Sequence, residues 1–192
     1  MHDLLFKNIS RFIDLTDDEK QYFISLLKVK KLRKKQYLLQ EGDICRYECF
    51  VNKGCLRAYS IDEKGQEHIV QFAIEDWWIG DMYSFLTQTP ARLTIDALED
   101  AELFCIDNPS LENIFSRIPK FERFFRLLVQ NAFIAGQRRI IDSMSLTADE
   151  QYCRFIENYP LMEQRLPLKQ IASFLGITPE SLSRIRSQYK KK

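Results

Sequence analysis

The segment LKQIASFLGITPESLSRIRS, residues 168–187, predicts two short helices joined by a tight turn. Ala172 is small at the point where the second helix has to cross the first. Gly176 permits the positive φ that a sharp turn requires, and Leu182 and Ile185 return the second helix to the core. Residues of these types at these spacings indicate a helix-turn-helix, which places its second helix in the major groove of DNA.

The outer face of that second helix is polar. Thr178 is a good N-cap residue and Pro179 suits the first helical position. Arg184 can donate two hydrogen bonds to guanine, and Glu180 can accept one from cytosine. The predicted DNA-contacting residues are Lys169, Thr178, Pro179, Glu180, Ser181, Arg184, Arg186, Gln188 and Lys190.

The charge of the chain restricts where DNA could bind. Among 192 residues, 28 Lys+Arg nearly balance 27 Asp+Glu, so binding has to come from a local patch. The segment after Glu180 supplies one, because it contains basic residues up to the lysines at 190–192 and no acidic residue. A plain helical hairpin with a solvated basic end is the alternative. A second basic run, KVKKLRKK at 28–35, is interpreted as the solvated face of a strand.

The rest of the chain predicts an α+β protein. Thr16 and Glu19 form a capping-box start for an amphipathic helix. From Lys30 to about Asp107, short runs of Val, Ile, Phe and Tyr alternate with turns, which indicates a small antiparallel sandwich or barrel. We predict three parts, namely a β-domain at 1–118, a long helix at 119–145 and a helix-turn-helix domain at 146–192.

The predicted long helix has two apolar stripes. One contains Phe121, Phe125, Leu128, Ala132 and Ala135, and the other contains Leu127, Ile134 and Ile141. One stripe can cover the β-domain, and the other can pack on the same helix of a second chain. The sequence therefore favours a homodimer over a central helix buried within one chain.

Composition and motifs weigh against several other classes of protein. The amino-terminal segment has charges among its apolar residues and no run approaches a membrane span, so we expect a cytoplasmic protein without a membrane partner. Five cysteines are expected as free thiols in a reducing compartment. Two histidines, His2 and His68, cannot form a facial set of metal ligands, so neither catalysis nor a metal or other cofactor is predicted.

An iron–sulfur cluster on Cys45, Cys49 and Cys55 is not expected, because strand alternation separates some of them onto different faces. A redox role for these three cysteines or Cys105 stays open.

Taken in order, the segments resemble the Crp/Fnr family of bacterial transcription regulators. The matching elements are QEGD at 40–43, VNKGCLRAYSIDEKGQE at 51–67, IGDMYSF and ARLTIDAL within 79–98, the long helix, and LKQIASFLGITPESLSRI at 168–185. The resemblance implies an amino-terminal β-roll (a double-stranded β-helix), a homodimer on double-stranded DNA, and RNA polymerase as a partner. It also implies that Pro179, Glu180 and Arg184 stand at base-contacting positions. Proline offers no side-chain hydrogen bond, so the operator should differ from that of relatives with arginine there.

In such a family, residues 79–98 correspond to a phosphate-binding cassette for a cyclic nucleotide. Gly80, Asp81 and Arg92 stand at the positions of the turn, the ribose carboxylate and the phosphate arginine. Leu93 replaces a small or hydroxyl residue, and the loop is one residue longer than in cyclic-AMP binders. The predicted degenerate pocket comprises Gly80, Asp81, Met82, Tyr83, Ser84, Arg92, Leu93, Ile134 and Ala135. We expect weak or no cyclic-AMP binding and a different small-molecule effector or none. A cyclic-nucleotide module acting on a protein partner is the alternative function, against which the helix-turn-helix argues.

Overall fold

A computed structural model describes residues 1–189. The chain forms two compact units, each described separately below. The first contains Met1–Ser60 and Gln71–Gln130, and the second contains Ile61–Val70 and the chain from Asn131 onward. Within the described residues, no helix is both long enough and apolar enough to span a bilayer.

Two four-stranded antiparallel sheets form the β-roll, which confirms the predicted sandwich. The sheet orders are β1-β8-β3-β6 and β2-β7-β4-β5. The strands are β1 Lys28–Leu32, β2 Tyr37–Leu39, β3 Tyr47–Lys53, β4 Leu56–Ile61, β5 Glu67–Ala73, β6 Trp78–Ile79, β7 Thr94–Ala97 and β8 Ala101–Asp107. The basic run at 28–35 begins as β1, an edge strand, where Lys28 and Lys31 are exposed as predicted.

Four helices of the first unit accompany the sheets: α1 Asp3–Ile9, α2 Asp17–Leu26, α3 Met82–Thr87 and α4 Asn108–Arg117. The predicted capping box at Thr16 and Glu19 is present at the start of α2. In the core, the rings of Phe50 on β3 and Trp78 on β6 lie 5.4 Å apart between centroids. Trp78 in turn meets Phe124 at 6.0 Å, so aromatic edge contacts join this sheet to the next helix.

That next helix, α5 Lys120–Ser145, confirms the predicted long helix. In its amino-terminal half Phe121 is buried, whereas Phe125 and Leu128 are half-buried. The buried Phe124 was not among the predicted stripe residues. Beyond Gln130 the helix is largely exposed, including Ala132 and Ala135.

The second unit continues with four helices: α6 Ala148–Asn158, α7 Met162–Arg165, α8 Leu168–Leu175 and α9 Pro179–Tyr189. The segment at 161–167, predicted as a plain connection, contains α7. Its Met162 is buried, and burial of this apolar residue stabilises the extra turn. Residues 67–69 of β5 contact α8, because the Ser173 hydroxyl donates to the Glu67 carbonyl at 2.8 Å and accepts from the Ile69 N–H at 3.1 Å.

Candidate nucleic-acid interface

Helices α8 and α9 form the predicted helix-turn-helix. Gly176 ends α8 with φ 70°, in the left-handed region that favours glycine. Ile171, Ala172 and Leu182 are fully buried, and Ile185 is nearly so. Burial of Ala172 agrees with the predicted crossing of the two helices at this residue.

The start of α9 is fixed by its N-cap. Thr178 Oγ1 accepts a hydrogen bond from the Ser181 N–H at 3.2 Å and lies 3.0 Å from the Ser181 hydroxyl. Such a cap satisfies one of the otherwise unpaired N–H groups of the first turn. The first turn of α9, which includes Pro179 and Glu180, is thereby held in a defined orientation.

The predicted DNA-contacting residues differ in accessibility. Lys169, Thr178, Glu180, Arg184 and Gln188 are exposed, whereas Pro179 and Ser181 are half-buried. Arg184 pairs with no carboxylate among residues 1–189, so its guanidinium is available to an external acceptor. Lys190 lies outside the described residues, and its assignment stays a prediction.

Arg186 has a partner inside the domain. Its Nη2 lies 3.0 Å from Glu163 Oε1, and the Tyr152 hydroxyl donates to the same oxygen at 2.8 Å. Burial, and to a lesser extent the hydrogen bond to the Glu163 carboxylate, raises the pKa of Tyr152 to about 12. The cluster joins α6, α7 and α9, so a contact from Arg186 to DNA, which stays a prediction, would compete with this ion pair.

The cassette segment of the first unit is satisfied by its own hydrogen bonds. Asp81 caps α3 by accepting from the Ser84 N–H at 3.1 Å, and its second oxygen accepts from the Arg92 N–H, also at 3.1 Å. The Asp81 side chain is buried. Ser84 Oγ accepts from the Cys45 N–H at 2.9 Å and donates to the Thr89 carbonyl at 2.5 Å. The carboxylate that would meet a ribose hydroxyl is therefore buried and bonded within the cassette.

The remaining cassette residues are more accessible. Arg92 is exposed and its guanidinium lies 5.9 Å from the centroid of the Tyr83 ring. Met82 and Leu93 are half-buried. Ile134 and Ala135 belong to the second unit and are exposed there, so their place in an effector pocket stays a prediction.

A cavity of about 270 Å³ opens nearby in the first unit. Its lining includes the cassette residue Gly80 together with Leu39, Cys45, Tyr47 and Ile95. The Asp81 and Arg92 side chains are not part of that lining. The observed cavity thus shares little with the predicted pocket.

Sequence reasoning missed a buried acid beside the cassette. Glu48 on β3 is only 4% exposed, and its Oε2 has no hydrogen-bond partner among the described residues. Burial, and to a lesser extent the negative charge of Asp81, raises the pKa of Glu48 to about 8. A Cβ at Gly80 would lie 2.1 Å from Glu48 Oε2, so any side chain there would force Glu48 to shift. The available signal was an acidic residue inside the apolar strand YECFV.

Comparison with known proteins places these features in a family. The profile of the cyclic nucleotide-binding domain matches residues 29–118. The "Anaerobic regulatory protein" of Haemophilus influenzae is 26% identical over 92% of this chain and 73% of its own length. The "Fumarate and nitrate reduction regulatory protein" of Vibrio cholerae is 26% identical over 84% of this chain and 68% of its own. In sequence, the chain is thus similar to the DNA-binding transcription regulators of the Crp/Fnr family.

Solved structures show that the Crp/Fnr fold extends over most of the chain. FixK2 from Bradyrhizobium japonicum superposes with a TM-score of 0.74 at 20% identity, covering 86% of this chain and 85% of FixK2. The c-di-GMP responsive regulator CLP of Xanthomonas campestris gives 0.72 at 14% identity, with 92% of each chain covered. At these identities the likeness concerns the fold, and the relatives named above are regulators rather than enzymes.

The cysteines of this protein are free thiols. Cys45, Cys49, Cys55 and Cys105 are buried and Cys153 is half-buried. Cys49 and Cys105 face each other across β3 and β8, and burial raises the pKa of the Cys49 thiol well above its usual range. Within residues 1–189, no group of three or more His, Cys, Asp or Glu side chains is arranged to hold a metal ion.

Proposed function

We propose that this Crp/Fnr regulator acts in the cytoplasm as a homodimer that binds a near-palindromic operator through the two α9 helices. The observation that carries the proposal is the capped α9, buried along Leu182 and Ile185 and exposed at Glu180 and Arg184. Because one face of α9 is packed against the domain, its opposite face is held in a fixed position on the protein surface. A recognition helix needs such a fixed, exposed face to enter the major groove. RNA polymerase is the further partner that we propose for the bound dimer.

An exposed apolar face on α5 supports the homodimer. Phe133, Ile134, Ile140, Ile141 and Met144 are between 50% and 82% exposed. Ile134 and Ile141 are separated by seven residues, so they lie on the same side of the helix. A contiguous apolar face of this kind marks an interaction surface, and the same face of a second copy can cover it.

The base contacts that we propose follow from the chemistry of the exposed edge of α9. Arg184 donates to guanine and Glu180 accepts from cytosine, while Pro179 can make only apolar contact. Lys169 and the lysines at 190–192 strengthen binding through phosphates without discriminating between sequences.

Selection from a random DNA pool tests the proposed function. Wild-type protein should enrich an inverted repeat, and Arg184→Ala should enrich a motif with one relaxed position in each half. Arg33→Ala, which removes an exposed arginine in the first unit, serves as the matched control and should enrich the wild-type motif. An intact dimer that enriches no sequence would favour the alternative of a module acting on a protein partner.

For the cassette, we propose a scaffolding role without cyclic-nucleotide binding. The Asp81 side chain is buried and each of its oxygens accepts a backbone hydrogen bond, so the carboxylate is held inside the cassette and is poorly accessible to a ribose hydroxyl. Titration calorimetry with cyclic AMP and cyclic GMP should therefore show no binding at micromolar concentrations. Micromolar binding that Arg92→Ala abolishes would overturn this assignment.

A further inference from the structure

A groove in the second unit combines basic and aromatic side chains. It has a volume of about 200 Å³ and lies among α5, α6 and α8. Its lining includes Arg138, Arg139, Arg154, Phe155, Tyr159 and Phe174. Arg184 and the other exposed residues of α9 do not line it, so the groove is separate from the proposed DNA-contacting edge.

The aromatic residues form one side of the groove. Ring centroids of Phe155 and Tyr159 lie 5.5 Å apart, those of Phe155 and Phe174 lie 5.9 Å apart, and those of Tyr159 and Phe174 lie 6.5 Å apart. Mutual contact restricts the movement of each ring. The cluster thus offers a preformed surface to a planar group.

The charged residues give the groove an excess of positive charge. Arg154 pairs with Asp142, the one carboxylate of the lining. Arg138 is exposed, and neither it nor Arg139 has an ion-pair partner among residues 1–189. Two guanidinium groups of the lining therefore lack a counterion within the described chain.

Arg139 carries the strongest indication of a ligand. It is half-buried, it donates to the carbonyl of Val70, and its guanidinium lies 4.7 Å from the centroid of Phe174. Burial lowers the pKa of Arg139, as expected for a cation without a nearby carboxylate. An anion in the groove would offset this desolvation and accept charge-assisted hydrogen bonds.

We propose that this groove binds a small organic anion that carries a planar ring. The ring lies on the half-buried Tyr159 and Phe174, which contact the buried Phe155, and the carboxylate or phosphate of the ligand accepts from Arg138 and Arg139. The volume is below the range of about 300–1,000 Å³ that is usual for drug-sized ligands, so a single-ring compound fits better than a dinucleotide. Binding at this site does not depend on the proposed operator or on the cassette.

Titration of the full-length protein with phenyl phosphate tests the proposal, with calorimetry as the measurement. Phenol supplies the ring without the charge, and inorganic phosphate supplies the charge without the ring. Phenyl phosphate should bind at least about tenfold more tightly than either, because both the cationic and the aromatic contacts contribute. Equal affinity for phenyl phosphate and inorganic phosphate would show a nonspecific basic surface and overturn the proposal.

Three variants locate the site. Arg138→Gln and Phe174→Leu should each weaken phenyl phosphate binding about tenfold. Arg33→Gln removes an exposed arginine of the first unit and should leave the affinity unchanged. Arg138 is exposed, so its replacement keeps the fold even if Phe174→Leu disturbs α8. Unchanged affinity in Arg138→Gln, or an equal loss in Arg33→Gln, would place the ligand elsewhere and refute the assignment.

Discussion

At the scale of single residues, Glu48 is the least expected feature. A carboxyl group buried without a partner for one oxygen is costly to ionise, and the negative Asp81 nearby adds to that cost. The protein accommodates it by omitting a side chain at Gly80. Residue type alone could not predict this, because burial of Glu48 depends on how β3 packs beside the cassette.

The raised pKa of Glu48 predicts a pH-dependent stability. Below pH 4.5 the carboxyl is protonated in both states, so its ionisation does not affect stability. Between pH 4.5 and about 8, Glu48 ionises in the unfolded chain but keeps its proton in the folded protein, so the free energy of unfolding falls as pH rises. Above about pH 8 this loss of stability is complete. Glu48→Gln should remove this loss, which amounts to about 5 kcal/mol.

Urea unfolding of wild type and Glu48→Gln at pH 5 and pH 8 measures this effect. The free-energy difference between the two proteins should grow in favour of the variant at pH 8. Glu63→Gln, at an exposed position in the turn between β4 and β5, is the control and should follow the wild type. Parallel pH profiles for wild type and Glu48→Gln would contradict a buried neutral carboxyl.

Two arginines of α9 should behave differently when each is replaced by alanine. Arg184 is exposed and without an ion-pair partner in the described chain, so Arg184→Ala should cost about 1–3 kcal/mol of operator binding with an unchanged melting temperature. Arg186 pairs with Glu163, so Arg186→Ala should lower stability by about 1 kcal/mol. Fluorescence anisotropy with operator DNA and thermal unfolding separate the two effects. A lower melting temperature for Arg184→Ala would mean that its side chain stabilises the fold.

At the scale of elements, the sequence predicted those helices and turns that depend on interactions between residues close together in the chain. The helix-turn-helix followed from Gly176, Thr178 and the apolar spacing around them, each of which acts within a few residues. Phe124 and α7 were missed, because their burial depends on contacts with elements distant in sequence. The family resemblance placed Asp81 at the ribose-carboxylate position, but its two hydrogen bonds within the cassette depend on the fold and could not be predicted from the sequence.

The exposed half of α5 yields a prediction about assembly. Ile134→Glu should place a charge in the proposed helix–helix contact and convert the dimer to a monomer, because the isolated carboxylate would lose its hydration. Sedimentation velocity at micromolar concentration measures the change. Ile61→Glu, whose wild-type residue is 46% exposed compared with 50% for Ile134, is the matched control and should remain a dimer. A dimeric Ile134→Glu protein would show that α5 is not the contact.

At the scale of the whole molecule, the near-zero net charge matters for DNA binding. Because 28 basic and 27 acidic residues almost cancel, the field of the protein supplies little nonspecific attraction. In the proposed dimer, affinity then depends on the proposed contacts around α9 and on the presence of two such helices. Two linked sites bind more tightly than either alone only where the spacing of the DNA sites matches that of the protein.

Operator spacing therefore provides the last prediction. A two-fold dimer holds its two α9 helices at a fixed separation, so its half-sites should be centred about one helical turn apart, roughly 34 Å. Inserting about 5 base pairs, half of the helical repeat of roughly 10, moves one half-site to the opposite side of the duplex. Affinity should then fall to that of a single half-site, as a gel-shift titration at fixed salt would measure. Full affinity for the inserted operator, or for one isolated half-site, would be incompatible with simultaneous binding by both α9 helices.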